Sequence, residues 1–150
     1  MIQKKIKSTS KIAIHHAATT FIDFIALSLI LKDIKKLVEI SSFSFLISIT
    51  FLFLATALSA YTTNRAYEIQ DKNKIIGNAT VIFVLIKVTL FVMIGFLLNN
   101  ILGMGTDILL SSSMGLFLLK EVVISATVFY VASKLFLKES QIQSVQQEVF

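Results

Sequence analysis

Four ionisable side chains interrupt otherwise apolar sequence: Asp23 in KIAIHHAATTFIDFIALSLIL, Lys87 in VIFVLIKVTLF, and the adjacent Lys120 and Glu121 in GLFLLKEVVIS. Two acids and two bases in such surroundings can pair with one another or recognise a charged group. Covalent catalysis finds no support, because the chain has no nucleophile elbow, zincin motif or phosphate-cradling glycine loop. The segment ILGMGTDIL has two nearby glycines but neither a preceding strand nor a third glycine, so it reads as a tight turn. His15 and His16 have no further ligand at a recognisable metal-site spacing, and the chain contains no Cys. The expectation is therefore a protein that is not an enzyme and needs no metal or cofactor. For the histidines, packing near an interface is the simpler role, beside a pH-responsive one for His16.

Holding those charges requires elements of unusual composition. Of the 150 residues, 55% are hydrophobic and 15% charged, with no Pro and no Trp, which places the chain in the membrane class. Four stretches, 12–31, 43–63, 75–102 and 108–137, reach the roughly 20 residues needed to cross a hydrocarbon core. A polar tail, 138–150, follows. The expected fold is an all-α integral membrane protein with four transmembrane helices in one domain. Lysines precede the first stretch, but its length, its His15, His16 and Asp23, and the absence of a small-residue cleavage site make it a retained span.

Asp23, Lys87, Lys120 and Glu121 each fall about eleven or twelve residues into their stretch, near the bilayer midplane. A charge there costs about 2.5 to 3.5 kcal/mol, whereas each Leu, Ile, Phe or Val returns roughly 0.3 to 0.6. The last stretch, with two charges against about fifteen strongly apolar residues, inserts only marginally alone and needs partners. Lys120 and Glu121 lie about 100° apart on a helix and do not face each other. The pairing expected is across helices: Asp23 with Lys120 or Lys87, and Glu121 with the remaining lysine. These pairs either fix helix register or line a polar cavity that takes a charged headgroup. Periodicity adds polar stripes at His16, Thr19 or Thr20 and Asp23; at Gly77, Thr80, Val84 and Lys87; and at Ser113, Lys120 and Thr127. A small-residue stripe, Ser44, Ser48, Ala55, Ser59 and Thr62, suits close helix packing.

The net charge of +5 sits mainly beside the apolar stretches, where anionic lipid headgroups explain it better than nucleic acid. Lys4, Lys5, Lys7, Lys11, Arg65, Lys72, Lys74, Lys134 and Lys138 flank one side, and Lys32, Lys35 and Lys36 the other. Nine against three places both termini in the cytoplasm. LKDIKKLVEI reads either as an interfacial amphipathic segment or as a solvated turn, and Asp107 suits the N-cap of the last helix. NRAY, ending the second stretch, echoes SKLF, ending the fourth, and Lys11 and Lys74 open matching runs. Two parallel two-helix repeats would produce this echo, and so would chance.

Taken in order along the chain, these pieces resemble the GtrA-like family of small four-span membrane proteins. KIAIHHAATTFIDFIALSLIL is similar to that family's opening span, AYTTNRAY to the Asn-Arg ending of its second, and LLKEVVISATVFYVASKLF to its last; together they cover roughly residues 11–137. The sequence departs from the pattern at Thr19, His16, Ala17, Ala66, Ser133 and Lys134. The resemblance implies a multi-pass protein of the bacterial cytoplasmic membrane that flips a polyprenyl-phosphate-linked sugar for cell-surface polysaccharide synthesis or glycosylation, or supports a partner glycosyltransferase. It carries over Asp23, Asn64, Arg65, Lys120 and Lys134 as substrate-binding residues. Position in the spans adds Lys87 and Glu121, with Lys120 expected to meet substrate and Glu121 to balance charge. A homodimer joined through the second span is a further expectation.

Two other classes compete. A small proton-coupled multidrug exporter would use Asp23, although Lys87 and Lys120 would repel organic cations. A non-transporting scaffold or immunity subunit would use mainly its lipid-facing surfaces.

Overall fold

The computed structural model describes residues 8–35, 41–102 and 112–140. These residues form four helices: α1, Thr9–Lys35; α2, Ser41–Ala66; α3, Lys72–Leu102; and α4, Ser112–Phe136. Within α1, α2 and α3, the segments Thr9–Ile30, Leu46–Ala66 and Lys72–Leu97 are long and apolar enough to cross a membrane. The outer surface fits that setting. Ile22, Leu29, Leu54, Val81, Leu85, Val92, Phe96, Leu116 and Leu135 are all exposed, where a soluble helix would present charge. Residues 36–40, 103–111 and 141–150, with them part of LKDIKKLVEI, most of ILGMGTDIL, Asp107 and most of the tail, lie outside the described residues.

α1 packs against α2 and α3, and α4 packs against the same two helices, so α1 faces α4 and α2 faces α3 across the bundle. Packing is concentrated at one end, where α1 and α3 begin and α2 and α4 finish. Ile12, Ala13 and Ala17 of α1 meet Ala60 of α2, Ile75, Ile76, Ala79 and Phe83 of α3, and Phe129 of α4 in one cluster. The many alanines let the backbones approach closely, and Phe83 stacks on Phe129 with ring centroids 4.6 Å apart to fill the centre. The small-residue stripe on α2 contributes Ala55 and Ser59, both fully buried, as close packing requires. Its outer members, Ser48 and Thr62, are exposed, and the side chain of Ser44 lies outside the described residues.

The connection from α2 to α3 is short and tied down. Asp71 Oδ1 accepts from the Lys74 amide at 3.1 Å, capping α3 at its N-terminus. Asn64 closes the end of α4: its Nδ2 donates to Phe136 O at 2.8 Å, and its Oδ1 accepts from Lys138 N at 3.0 Å. The Ser140 amide then donates to Ile69 O at 2.8 Å.

The NRAY and SKLF motifs lie at the same end of the bundle, and their leading polar residues do different work: Asn64 bonds the end of α4, whereas Ser133 bonds His16.

Candidate functional site

Beyond the packed end, the bundle holds a cavity of about 30 Å³. All four helices line it: Phe21 and Phe24 from α1, Leu52 and Ser48 from α2, Phe83 and Lys87 from α3, and Glu121 and Ser125 from α4. Its apolar floor is the Phe83 end of the core, and its polar wall lies between α3 and α4.

The polar wall is a bonded cluster. Lys87 Nζ lies 3.3 Å from Glu121 Oε2, with the two side chains 28% and 34% exposed. The ammonium also donates to Ser125 Oγ at 2.7 Å and reaches the Glu121 carbonyl at 3.5 Å. Ser125 Oγ in turn donates to that carbonyl. The helices position these groups through register. Phe83 and Phe129 stack one turn deeper, which brings Lys87 and Ser125, each four residues away, opposite one another. Cross-helix pairing is thus borne out for Glu121, with Lys87 as its lysine.

The other half of the charge layer does not form. Asp23 is half-buried and makes no hydrogen bond or ion pair among the described residues. Lys120 is exposed and likewise has no ion pair among them, because it lies on the outward face of α4. Sequence reasoning assigned Lys120 to substrate in the cavity and Glu121 to charge balance. The structure turns α4 so that Glu121 faces inward and Lys120 outward. Thr127, seven residues from Lys120, is exposed as well, and the side chain of Ser113 lies outside the described residues. The stripe expected to line the cavity therefore runs along the outside of α4. Its inner face is Glu121, Ser125, Phe129 and Ser133, spaced four apart.

The remaining expected residues lie at the packed end. Asn64 has its amide committed to closing α4, so a ligand would compete with Phe136 and Lys138 for it. Arg65 is exposed, lies 5.5 Å over the Tyr61 ring and donates to Tyr61 Oη at 3.2 Å. Lys134 is exposed in the last turn of α4. The seven expected site residues therefore divide into a mid-bundle group, Lys87 with Glu121 inside and Lys120 outside, and an end group of Asn64, Arg65 and Lys134. Asp23 stands apart on α1.

A second polar centre surrounds His16, which is fully buried. Its Nδ1 lies 2.9 Å from Ser59 Oγ on α2, and its Nε2 lies 2.9 Å from Ser133 Oγ on α4. Ser59 Oγ also donates to the His16 carbonyl at 2.9 Å. Thr19 Oγ1 joins Ser59 Oγ, and Thr20 Oγ1 donates to the His16 carbonyl at 2.8 Å. One imidazole thereby ties three helices together, and the packing role expected for it is what the geometry provides. Sequence reasoning gave Ser59 only a packing role, gave Ser133 only a place in the SKLF motif and passed over Ser125; these are the hydroxyls that bond His16 and Lys87. The spacing of Ser125, four after Glu121, was the available signal.

Among the described residues no group of His, Asp and Glu is arranged to hold a metal ion. Lys87 is paired with Glu121, which leaves an ammonium, Lys120, outside on α4 and a carboxyl, Asp23, on α1, each without an ion pair among the described residues. No family model, curated protein or solved structure matches the chain.

Proposed function

We propose that this chain is a four-span protein of a bacterial cytoplasmic membrane, with both termini in the cytoplasm, that flips a polyprenyl-phosphate-linked sugar, or serves a glycosyltransferase that uses one. The observation that carries the reading is the uncompensated Lys120 beside the Lys87–Glu121 pair, midway along helices with apolar outer surfaces. A lone ammonium in such a place costs about 2.5 to 3.5 kcal/mol. That cost is offset when an anionic headgroup pairs with the ammonium, which a lipid-borne phosphate does without removing its own tail from lipid. The GtrA-like resemblance of residues 11–137 supports the same substrate class. On this reading α4 is the fourth span, Arg65 and Lys134 meet headgroups at the cytoplasmic surface, and Asn64 acts by shaping the end of α4 where Lys134 sits.

The exporter reading draws on Asp23, whose carboxyl is unpaired among the described residues. Against it stands Lys120, an ammonium without an ion-pair partner among the described residues, which disfavours a cationic cargo. Reconstitution separates the two. Vesicles containing the purified protein should move polyprenyl-phosphate glucose between leaflets, read by a membrane-impermeant oxidant of the sugar diol, and should not extrude ethidium in response to a proton gradient. Ethidium export without sugar-lipid movement would reverse the choice.

A further inference from the structure

The interior of the bundle is a poor route for a headgroup. Lys87, the cation of the cavity between the four helices, already carries Glu121 and Ser125. A phosphate entering there would have to displace a carboxylate of the same sign. The outward face of α4 is different. Lys120, Thr127 and Lys134 recur every seven residues on that face, all exposed. Seven residues are close to two helical turns, so the three line up with a rise of about 10.5 Å between neighbours. Tyr130, 42% exposed, stands between Thr127 and Lys134. Its hydroxyl has no hydrogen-bond partner among the described residues.

The stripe is bordered by apolar side chains: Leu119 and Val123 around Lys120, Val131 and Leu135 around Lys134. From Lys134 to Lys120 it covers about 21 Å of helix, some two-thirds of a hydrocarbon core of about 30 Å. No carboxylate of the described residues answers either lysine. Glu121, the nearest in sequence, is turned inward onto Lys87. The face is therefore a net-positive, hydrogen-bonding track laid in an otherwise oily surface. Its chemistry complements a phosphate ester whose tail stays in the surrounding lipid.

We propose that the phosphate of the lipid-linked sugar travels along the outer face of α4, from Lys134 past Tyr130 and Thr127 to Lys120, and not through the bundle interior. This rests on the reading of the chain as a translocator of such lipids. Each lysine supplies a charge-assisted hydrogen bond to a phosphate oxygen. Tyr130 Oη donates between them, and Thr127 Oγ1, whose proton goes to Val123 O at 2.8 Å, accepts from sugar hydroxyls. The inner pair, Lys87 with Glu121, keeps α3 against α4 and holds the face outward.

The test uses the full chain in phosphatidylcholine vesicles doped with ³²P-labelled polyprenyl-phosphate glucose. A photoreactive p-benzoylphenylalanine replaces either Val123, on the outer face, or Ile124, on the cavity wall. Expected is labelling at 123 at least fivefold above 124, competed by unlabelled polyprenyl phosphate and not by neutral polyprenol, and reduced at least fivefold by combined Lys120→Met and Lys134→Gln. In the same vesicles Lys120→Met should slow sugar-lipid movement at least tenfold, and Lys120→Arg should recover most of that loss. Both lysines are exposed, so neither change should impair folding, and a thermal unfolding midpoint within a few degrees of wild type checks this. Labelling stronger at 124, or movement indifferent to both lysines, overturns the outer path while leaving the translocator reading intact. Neither labelling nor movement by the wild-type protein overturns both.

Discussion

Replacing His16 with alanine tests the tertiary structure most sharply, because the ring is fully buried and bonds two other helices at once. Three terms add. Two interhelical hydrogen bonds are lost, each about 0.6 kcal/mol within a membrane bundle. Ser59 keeps the His16 carbonyl and Thr19 as partners, but Ser133 loses its ring partner in a dry site, at a cost of about 1 kcal/mol or somewhat more. The void left by a ring packed 5.3 Å from that of Phe129 adds about 2 kcal/mol, at the low end for large-to-small changes because imidazole is smaller than phenyl. The expected loss is therefore about 4 kcal/mol. The assay is reversible unfolding in mixed micelles of wild type, His16→Ala, Ser133→Ala and the double variant. The single changes should couple by about 1 kcal/mol, His16→Ala being less damaging when Ser133 is already alanine. A loss under about 1 kcal/mol would refute the placement of the core at this end, and a coupling under about 0.3 kcal/mol would refute the bond between α1 and α4.

Two further outcomes follow from the bonds at the middle and end of α4. Lys87→Met or Glu121→Gln alone leaves a half-buried partner exposed to an apolar wall, and each should lower the unfolding midpoint by several degrees; joining Lys87→Met with Glu121→Leu should recover most of that loss, read by the same thermal melts. Asn64→Ala removes the bonds to Phe136 O and Lys138 N, worth about 1 kcal/mol together in an exposed setting. Amide hydrogen exchange at Lys138 should rise by about tenfold or less while exchange in the middle of α3 stays unchanged, and faster exchange throughout the bundle would mean that Asn64 holds more than the end of α4.

Much of the fold was legible because hydropathy and helix period act locally. Apolar runs of membrane length mark the helices within a few residues of where they form. Alanine and serine at spacings of three and four on α2 announced a face made for close contact, and Ala55 and Ser59 are buried there. Lys120 and Glu121 read as needing partners on other helices because neighbours 100° apart on one helix cannot bond well, and Glu121 pairs with Lys87 on α3. The site was legible only in part. α4 carries two candidate inward faces: the polar series of Ser113, Lys120 and Thr127, and the series Glu121, Ser125, Phe129 and Ser133. Polarity alone favours the first as a cavity lining.

The sequence by itself determined that the chain forms long apolar helices carrying charges that need partners, since each residue's transfer cost and each helix's periodicity are properties of the local chain. Which of two adjacent residues faces the cavity was decided by the tertiary structure. Phe129 stacking on Phe83 and Ser133 bonding to His16 set the rotation of α4. That rotation, a matter of contacts between residues up to 117 positions apart, sent Glu121 inward to Lys87 and left Lys120 facing out.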